Sequence, residues 1–240
     1  MKKIYTILVA SVSMLSAKTY VGAQIGASYM NPHVKIKGQD FNTRTRQKML
    51  LSFDKSFPMK SFSFGGLVGY EFGGFKIVSP FVEADYNHIN KSKEFTDLDY
   101  NTEYNALFAE NLKVKQNYSV GVMPGVNINI TDGFSAVVGV RLNVASYTVT
   151  ASHLSDDGIR SVNYKSKNAL AFGVEPTLGA AYNISKFASF RLTAGYNISR
   201  QVKAVSDYAN SPGFKNNGVS ASVSIRPRGV NLRTAVIVEF

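Results

Sequence analysis

Five charged residues lie within segments that are otherwise apolar or small: Glu83, Asp85, Arg141, Glu175 and Arg233. A charge that is removed from water and left unpaired costs several kcal/mol, so such residues need partners of opposite charge. Carboxylates and guanidinium groups in this combination predict an internal ion network. The same groups could also form a gated path for ions or protons, or a general-acid pair of carboxylates.

A tripeptide with hydrolase-like residue types follows later in the chain. His153-Leu154-Ser155 could act as a nucleophilic site only beside a carboxylate that orients the histidine. The nearest carboxylates, Asp156 and Asp157, belong to the same polar segment. Because such tripeptides arise easily by chance, we predict that the protein is not an enzyme.

Metal and cofactor chemistry is also poorly supported. Asp97, Asp99 and Glu103 lie in one polar segment but lack the spacing of a calcium-binding loop. The chain has three histidines, which do not cluster in sequence, and no cysteine, so a thiolate metal site is excluded. No glycine-rich phosphate motif occurs. We therefore predict no metal site and no cofactor.

The N-terminus has the layout of a secretory signal peptide. Lys2 and Lys3 precede an apolar stretch of 12 residues, Ile4–Leu15, and Ser16-Ala17 are small. The apolar stretch is too short to span a bilayer. The sequence predicts a signal peptide over residues 1–17 and a mature chain over 18–240.

Eight segments of the mature chain alternate between apolar and small or polar residues, which is the pattern of strands with two different faces. They are 19–29, 62–72, 76–89, 117–130, 136–144, 170–182, 188–198 and 230–240. Short turns join some of them at 73–74, 131–133 and 185–186, whereas long polar loops run through 30–61, 89–116, 150–168 and 199–218. Short turns at one end and long loops at the other predict an all-β fold, an eight-stranded antiparallel up-and-down transmembrane β-barrel.

The distribution of aromatic and polar residues favours apolar side chains on the outside of this barrel. The polar face is rich in Gly, Ser and Asn and holds full charges, which suits a packed polar lumen. Aromatic residues occur near the ends of the apolar segments, as in the two girdles of a membrane barrel. They are Tyr29, Phe72, Phe75, Tyr86, Tyr118, Phe134, Tyr147, Tyr182, Phe187 and Phe240.

The C-terminal stretch carries a family resemblance. Val230, Leu232, Thr234, Val236, Val238 and Phe240 alternate up to a terminal aromatic residue, which looks like the assembly signal of outer-membrane barrels. The mature chain resembles the eight-stranded opacity-protein and OmpA-like barrel family. This resemblance implies a bacterial outer membrane with loops at the cell surface, the barrel assembly machinery and outer-membrane lipopolysaccharide as partners, and a monomer. The family includes adhesins and virulence-linked surface antigens.

Counting from the predicted turns places four of the five charged residues at one level. Glu83, Arg141, Glu175 and Arg233 lie seven to ten positions from the turns or the C-terminus, and Asp85 could join them from above. We predict an ion network of these residues inside the barrel. An eight-stranded barrel is just wide enough for side chains to fill its interior, so a structural plug is favoured over a gated path.

Three prolines fall within predicted strands, where each removes a hydrogen bond of the ladder. They are Pro80, Pro124 and Pro176. A closed barrel has no free edge for them, so we predict local bulges at these positions.

Positive charge is concentrated in the first long loop. The net charge is +11, and residues 31–60 contain seven basic residues against Asp40 and Asp54. The basic residues of this predicted patch are Lys35, Lys37, Arg44, Arg46, Lys48, Lys55 and Lys60. Interleaved aromatic residues could indicate nucleic acid, but export argues against it. The patch could neutralise the phosphate-rich outer leaflet, bind acidic host glycans or matrix, or serve a non-adhesive role such as phage reception.

These observations predict an outer-membrane surface protein that contributes to envelope structure and adheres to host or anionic surfaces through its loops. The alternative is a narrow channel gated by the ion network.

Overall fold

The computed structural model of the chain describes residues 17–42, 47–73, 77–96, 111–154, 161–165, 169–206 and 220–240. The strands within these ranges are β1 (Lys18–Met30), β2 (His33–Asn42), β3 (Gln47–Ser56), β4 (Met59–Glu71), β5 (Val78–Thr96), β6 (Asn111–Thr131), β7 (Phe134–Leu154), β8 (Ser161–Lys165), β9 (Ala169–Asn183), β10 (Ala188–Ser199), β11 (Val202–Ser206), β12 (Ser220–Arg226) and β13 (Arg228–Glu239). Across the described ranges, no helix is long and apolar enough to cross a membrane. The predicted signal peptide lies outside the described residues except for Ala17.

Eight of these strands form a closed antiparallel barrel. Their order is β6-β5-β4-β1-β13-β10-β9-β7, and pairing between β6 and β7 closes the sheet. Each barrel strand contains one of the eight alternating segments, so the predicted fold is confirmed. The short strand β8 extends the ladder at the far end of β7. We call the end of the barrel with the short connections the turn end and the other the loop end.

Along each barrel strand, successive side chains point alternately into the lumen and onto the outer wall. In β10, for example, Ser189, Arg191 and Thr193 are buried inside, whereas Phe190 and Leu192 are exposed on the outer wall. Exposed aromatic side chains lie near both ends of that wall. At the turn end they are Phe72, Phe134, Tyr182, Phe187 and Phe240, and at the loop end they are Tyr29, Phe62, Phe64, Tyr86, Phe172 and Tyr196.

Tyr147 is a correction to the predicted girdles. Its side chain is 1% exposed and lies inside the loop end of the barrel. It shares the inward phase of Arg141 and Asn143, which lie an even number of positions before it on β7. Strand parity therefore overrides the tendency of an aromatic residue near a segment end to face outward. Phe75, also predicted for a girdle, lies outside the described residues.

A second sheet, which the sequence did not predict, is formed by strands from the first long loop, from the fourth, and from the stretch between the fourth loop and the last alternating segment. Its order is β11-β12-β2-β3, and we call it the outer sheet. Strands β3, β2, β12 and β11 follow the same lateral order as β4, β1, β13 and β10 of the barrel. The outer sheet is therefore the continuation of one half of the barrel wall, interrupted between the two.

Proline accounts for most of that interruption. Pro32 separates β1 from β2, Pro58 separates β3 from β4, and Pro227 separates β12 from β13. Proline has no N–H to donate to a ladder, and it restricts the residue before it. The carbonyl of Pro32 still accepts a hydrogen bond from the Phe57 N–H at 3.2 Å. The chain thus passes from barrel to outer sheet at three prolines on neighbouring strands.

The predicted bulges at the three prolines within barrel strands are wrong. Pro80 pairs with Val126, Pro124 with Val82, and Pro176 with Val140, without a register shift at any of these positions. In an antiparallel strand each N–H points to only one neighbouring strand. A proline therefore removes one bond from one ladder, while the ladder on its other side holds the register.

Candidate functional site

Among the described residues, the ion pairs of the lumen fall into two neighbouring groups. In the first, the Arg141 guanidinium donates to both oxygens of Asp85, from Nε at 2.6 Å and from Nη2 at 2.5 Å. Nη1 of Arg141 lies 3.6 Å from Oε2 of Glu175, and Arg233 donates to the other oxygen of that carboxylate. Asn231 donates to Glu175 Oε2 at 2.9 Å. The structure thus brings together four of the five predicted residues.

Glu83 forms the second group with a residue that the sequence analysis did not select. Arg191 Nη1 lies 2.5 Å from Glu83 Oε2, and the Tyr20 hydroxyl donates to the same oxygen at 3.1 Å. The guanidinium of Arg191 also lies over the rings of Tyr20 and Phe81, with centroid distances of 5.5 and 5.3 Å. Glu83 thus forms its direct ion pair with Arg191 and not with Arg141 or Arg233, although both groups line one cavity of about 10 Å³.

Counting from the turns could not distinguish these partners. Arg191 occupies an inward position of the seventh alternating segment, so the sequence alone predicts that its side chain points into the barrel. The residue that Arg191 contacts across the lumen depends on the stagger between neighbouring strands of the closed barrel. Counting positions along one strand cannot give this stagger.

Glycines leave the space that these charged side chains occupy. A Cβ added at Gly121, which pairs with Asp85, would lie 2.4 Å from Nε of Arg141. A Cβ at Gly195 would lie 2.4 Å from Oε1 of Glu175. The frequent glycines on the polar face are therefore part of the packing of the ion network.

Two small cavities remain in the described lumen. One, of about 30 Å³, lies on the loop side of Arg141 and is lined by Gln116, Asn143 and Asn197. The other, of about 10 Å³, lies on the turn side beside Glu83 and Arg191. A single water requires roughly 10–15 Å³. The lumen around Arg141 therefore holds a few waters at most, and it is filled mainly by side chains.

An apolar layer closes the loop end of the lumen. Val34, Val223 and Ile225 project from the outer sheet onto side chains of the barrel strands β6, β7 and β9. Those side chains are Val114, Ala145, Tyr147, Val149, Ala169 and Ala171. We call this cluster the apolar cap. Two short alternations in the sequence correspond to it, at 34–36 within the first predicted loop and at 223–225 before the last predicted strand.

The described side chains on the other face of the outer sheet are polar or basic, and we call it the basic face. Its registers align Lys203, Ser224 and Lys35 across β11, β12 and β2, and they place Arg226 beside His33. The side chains of Lys203 and Arg226 are exposed, and Lys35 is half-buried. Positions 37 and 48 share this face, whereas register places Asp54 opposite Lys35.

The predicted basic patch is thus divided by the fold. Lys35, together with positions 37 and 48, belongs to the basic face, but position 55 pairs with Val34 and belongs to the opposite face. Lys60 is exposed on the wall of the barrel, opposite Tyr29. Arg44 and Arg46 lie outside the described residues. Lys203 and Arg226 were not predicted as part of the patch. They lie beside Lys35 only because β12 pairs with β2, and these two strands are about 180 residues apart in the sequence.

The described residues supply little for catalysis or metal binding. Within the described ranges, no group of three or more His, Cys, Asp or Glu side chains could hold a metal ion. His153 lies on β7, while Ser155, Asp156 and Asp157 lie outside the described residues, as do Asp97, Asp99 and Glu103.

Comparison with known proteins gives one family match. The model of the outer membrane protein beta-barrel domain family matches residues 6–226. No curated protein sequence matches the chain significantly.

Several solved structures are similar at low sequence identity. Neisserial surface protein A is 15% identical, with a TM-score of 0.35 over 90% of this chain and 97% of that chain. Ail, the attachment invasion locus protein of Yersinia pestis, is 13% identical, with a TM-score of 0.28 over 88% and 97%. OprG from Pseudomonas aeruginosa is 11% identical, with a TM-score of 0.47 over 93% and 96%.

Proposed function

The chain belongs to the outer membrane protein β-barrel domain family, and from this premise we propose that it is a surface protein that binds anionic polymers through the basic face of its outer sheet. On this proposal the barrel anchors the outer sheet in the bacterial outer membrane, and the loop end faces the exterior. The ligands would be acidic glycans or other anionic surfaces on host cells or matrix.

The observation that carries this proposal is the row formed by Lys203, Ser224 and Lys35, with Arg226 in the next row. Strands in a sheet lie about 4.8 Å apart, so Lys203 and Lys35, separated by one strand, lie about 10 Å apart across the face. Such spacing suits a linear polyanion with repeated charges better than a single small anion. The Ser224 hydroxyl between the two lysines donates to the Lys35 carbonyl at 3.2 Å and accepts from Gln201 Nε2 at 2.7 Å, so we assign the contacts with sulfate, phosphate or carboxylate oxygens to the basic side chains.

The packing of the outer sheet supports a binding role. Because Val34, Val223 and Ile225 are buried in the apolar cap, the opposite face is held in a fixed position. A preformed basic surface avoids the entropic cost of ordering a loop on binding.

The alternative of a narrow channel has less support. Any continuous path would have to pass the side chains around Arg141 and then the apolar cap, and the adjoining cavities are about 10 and 30 Å³. This arrangement favours a structural role for the ion network.

The proposal is tested by measuring binding of intact cells to immobilised heparin across a salt series. We expect K35Q/K203Q to bind several-fold more weakly than the unchanged protein at about 0.1 M salt, with the difference vanishing near 1 M, where the screening length falls to about 3 Å. The matched control K60Q/R228Q also loses two positive charges but from the barrel wall and its rim, and it should retain binding.

Correct assembly of each variant is checked by the altered gel mobility of the folded barrel without heating. Equal heparin binding by both double variants and the unchanged protein would refute the role of the basic face.

A further inference from the structure

Two grooves lie on the outer wall at the loop end, where the barrel meets the outer sheet. The first has a volume of about 520 Å³ and is lined by Tyr29, Tyr196, His33, Arg226 and Arg228, among others. The second has a volume of about 640 Å³, and its lining includes Leu142, Phe172, Ile198, Arg200 and Arg226. Arg226 borders both grooves, so they form neighbouring parts of one surface.

The lower walls of both grooves are continuous with the lipid-facing surface. Tyr29, Val230 and Tyr196 pair across β1, β13 and β10 and are all exposed. In the second groove, Phe172 is 62% exposed and Leu142 is 54% exposed. In a membrane protein, exposed apolar and aromatic side chains at this height face acyl chains and the base of the headgroups. The grooves therefore open toward lipid.

The upper walls carry arginines at fixed backbone positions. Arg228 follows the outward phase of Val230, and two residues along a strand span about 7 Å. The carbonyl of Arg228 accepts a hydrogen bond from the Asn31 N–H at 2.6 Å, and the N–H of Arg200 donates to the Phe172 carbonyl at 2.8 Å. Arg228 thus lies one step above Tyr29 and Tyr196, and Arg200 lies directly beside Phe172 on the neighbouring strand, both at the expected height of the headgroups.

The charge of this surface is uncompensated among the described residues. Neither groove has an acidic side chain in its lining. No described carboxylate forms an ion pair with Arg200, Arg226 or Arg228. A guanidinium group presents paired donors that match a phosphate, and such charge-assisted bonds are strong.

We propose that the two grooves bind an acylated, phosphorylated glycolipid of the outer leaflet. Its acyl chains lie along the apolar walls formed by Leu142, Phe172 and Tyr196, and its phosphates contact Arg200, Arg226 and Arg228. Two grooves that share Arg226 fit a headgroup with two separate phosphates. The proposal depends on the membrane location of the barrel but not on the heparin binding proposed above: Arg226 borders both surfaces, and the two proposals are distinguished by Arg200 and Arg228 on one side and Lys35 and Lys203 on the other.

The test is a titration of the full-length folded protein, in neutral detergent micelles, with a diphosphorylated, acylated glucosamine disaccharide. Bound lipid is counted by native mass spectrometry. We expect the same lipid without its phosphates to bind at least about tenfold more weakly. Inositol hexakisphosphate serves as a soluble source of phosphate and should not displace the lipid at equal concentration, because it lacks acyl chains.

The variant R200Q/R228Q should weaken lipid binding at least about tenfold, since both replaced groups would contact phosphate. K35Q/K203Q, which removes the same charge from the basic face, should bind the lipid like the unchanged protein. Conversely, R200Q/R228Q should still bind heparin, which separates this proposal from the previous one.

If R200Q/R228Q does not fold, R200K/R228K keeps both charges but loses the planar donor pairs, and it should bind several-fold more weakly. Unchanged lipid affinity in the folded variant, or full displacement by inositol hexakisphosphate, would overturn the proposal.

Discussion

Pro32 lies opposite Pro227 at the boundary between the barrel and the outer sheet. The register that pairs Met30 with Gly229 continues without a shift to pair His33 with Arg226, so the two prolines face each other between these pairs. In an antiparallel strand the N–H and C=O of one residue point to the same neighbouring strand. The carbonyl of Pro32 accepts from the Phe57 N–H and that of Pro227 from the Ser199 N–H, both at 3.2 Å, so the positions that lack an N–H face away from each other. The register between the two prolines is therefore preserved, and the hydrogen bonds are lost from the ladders on their outer sides, where the barrel wall passes into the outer sheet.

The closure by the outer sheet can be tested with adjacent substitutions on its two faces. Ile225 is 2% exposed within the apolar cap, and its neighbour Arg226 is exposed on the basic face. Ile225→Asp would place a charge in an apolar cluster, so we expect the outer sheet to detach and its strands to be cleaved by external protease while the barrel stays resistant. Arg226→Asp should leave the protease pattern unchanged. Equal protease resistance of both variants would show that the cap does not hold the outer sheet.

The ion network predicts a large stability effect at Arg141. Arg141→Met would leave the carboxylate of Asp85 buried without its main partner, so the free energy of unfolding should fall by about 3–5 kcal/mol. Urea unfolding of the barrel refolded in lipid vesicles measures this change. The double variant R141M/D85N removes the unpaired charge as well and should recover part of the loss. A free energy of R141M within about 0.5 kcal/mol of the unchanged protein would contradict the assignment.

The closed lumen predicts an absence of ion conduction. We expect planar bilayers containing the unchanged protein to show no conductance steps. We expect the same for Arg141→Ala, because the apolar cap with Tyr147 and Val149 remains in place. Conductance steps in the unchanged protein that disappear in Arg141→Ala would instead support the gated channel.

The terminal phenylalanine predicts an effect on assembly rather than on stability. Phe240 is 74% exposed, and its backbone N–H donates to the Thr19 carbonyl at 2.9 Å. Phe240→Ala removes little buried surface, so the free energy of unfolding should change by less than about 0.5 kcal/mol. We propose that Phe240 belongs to the assembly signal that this stretch resembles, so the amount of folded barrel in the outer membrane should nevertheless fall several-fold in this variant.

Phe187→Ala provides the matched control, since Phe187 is 69% exposed at the same end of the barrel. Its assembly, measured by heat-dependent gel mobility, should match the unchanged protein. Similar losses in both variants would show that general wall hydrophobicity, and not a terminal signal, controls assembly.

The sequence by itself determined the barrel. Alternation with a period of two fixes which side chains share a face, and it is a local property of each segment. The inward phase of Glu83, Arg141 and Glu175 and the exposure of Phe190 and Leu192 follow directly from it. A local pattern is also sufficient to predict eight strands, whether the connections between them are short or long.

Only the tertiary structure decided which charges meet and what the long loops form. Glu83 pairs with Arg191, and Asp85 with Arg141, because the stagger of neighbouring strands sets their relative heights. The outer sheet pairs β2 with β12, which are about 180 residues apart, so neither strand carries a local sign of its partner. Lys35, Lys203 and Arg226 therefore form one surface that no single segment of the sequence predicts. They are brought together by pairing between strands that are distant in sequence, and this pairing forms only when the whole wall folds.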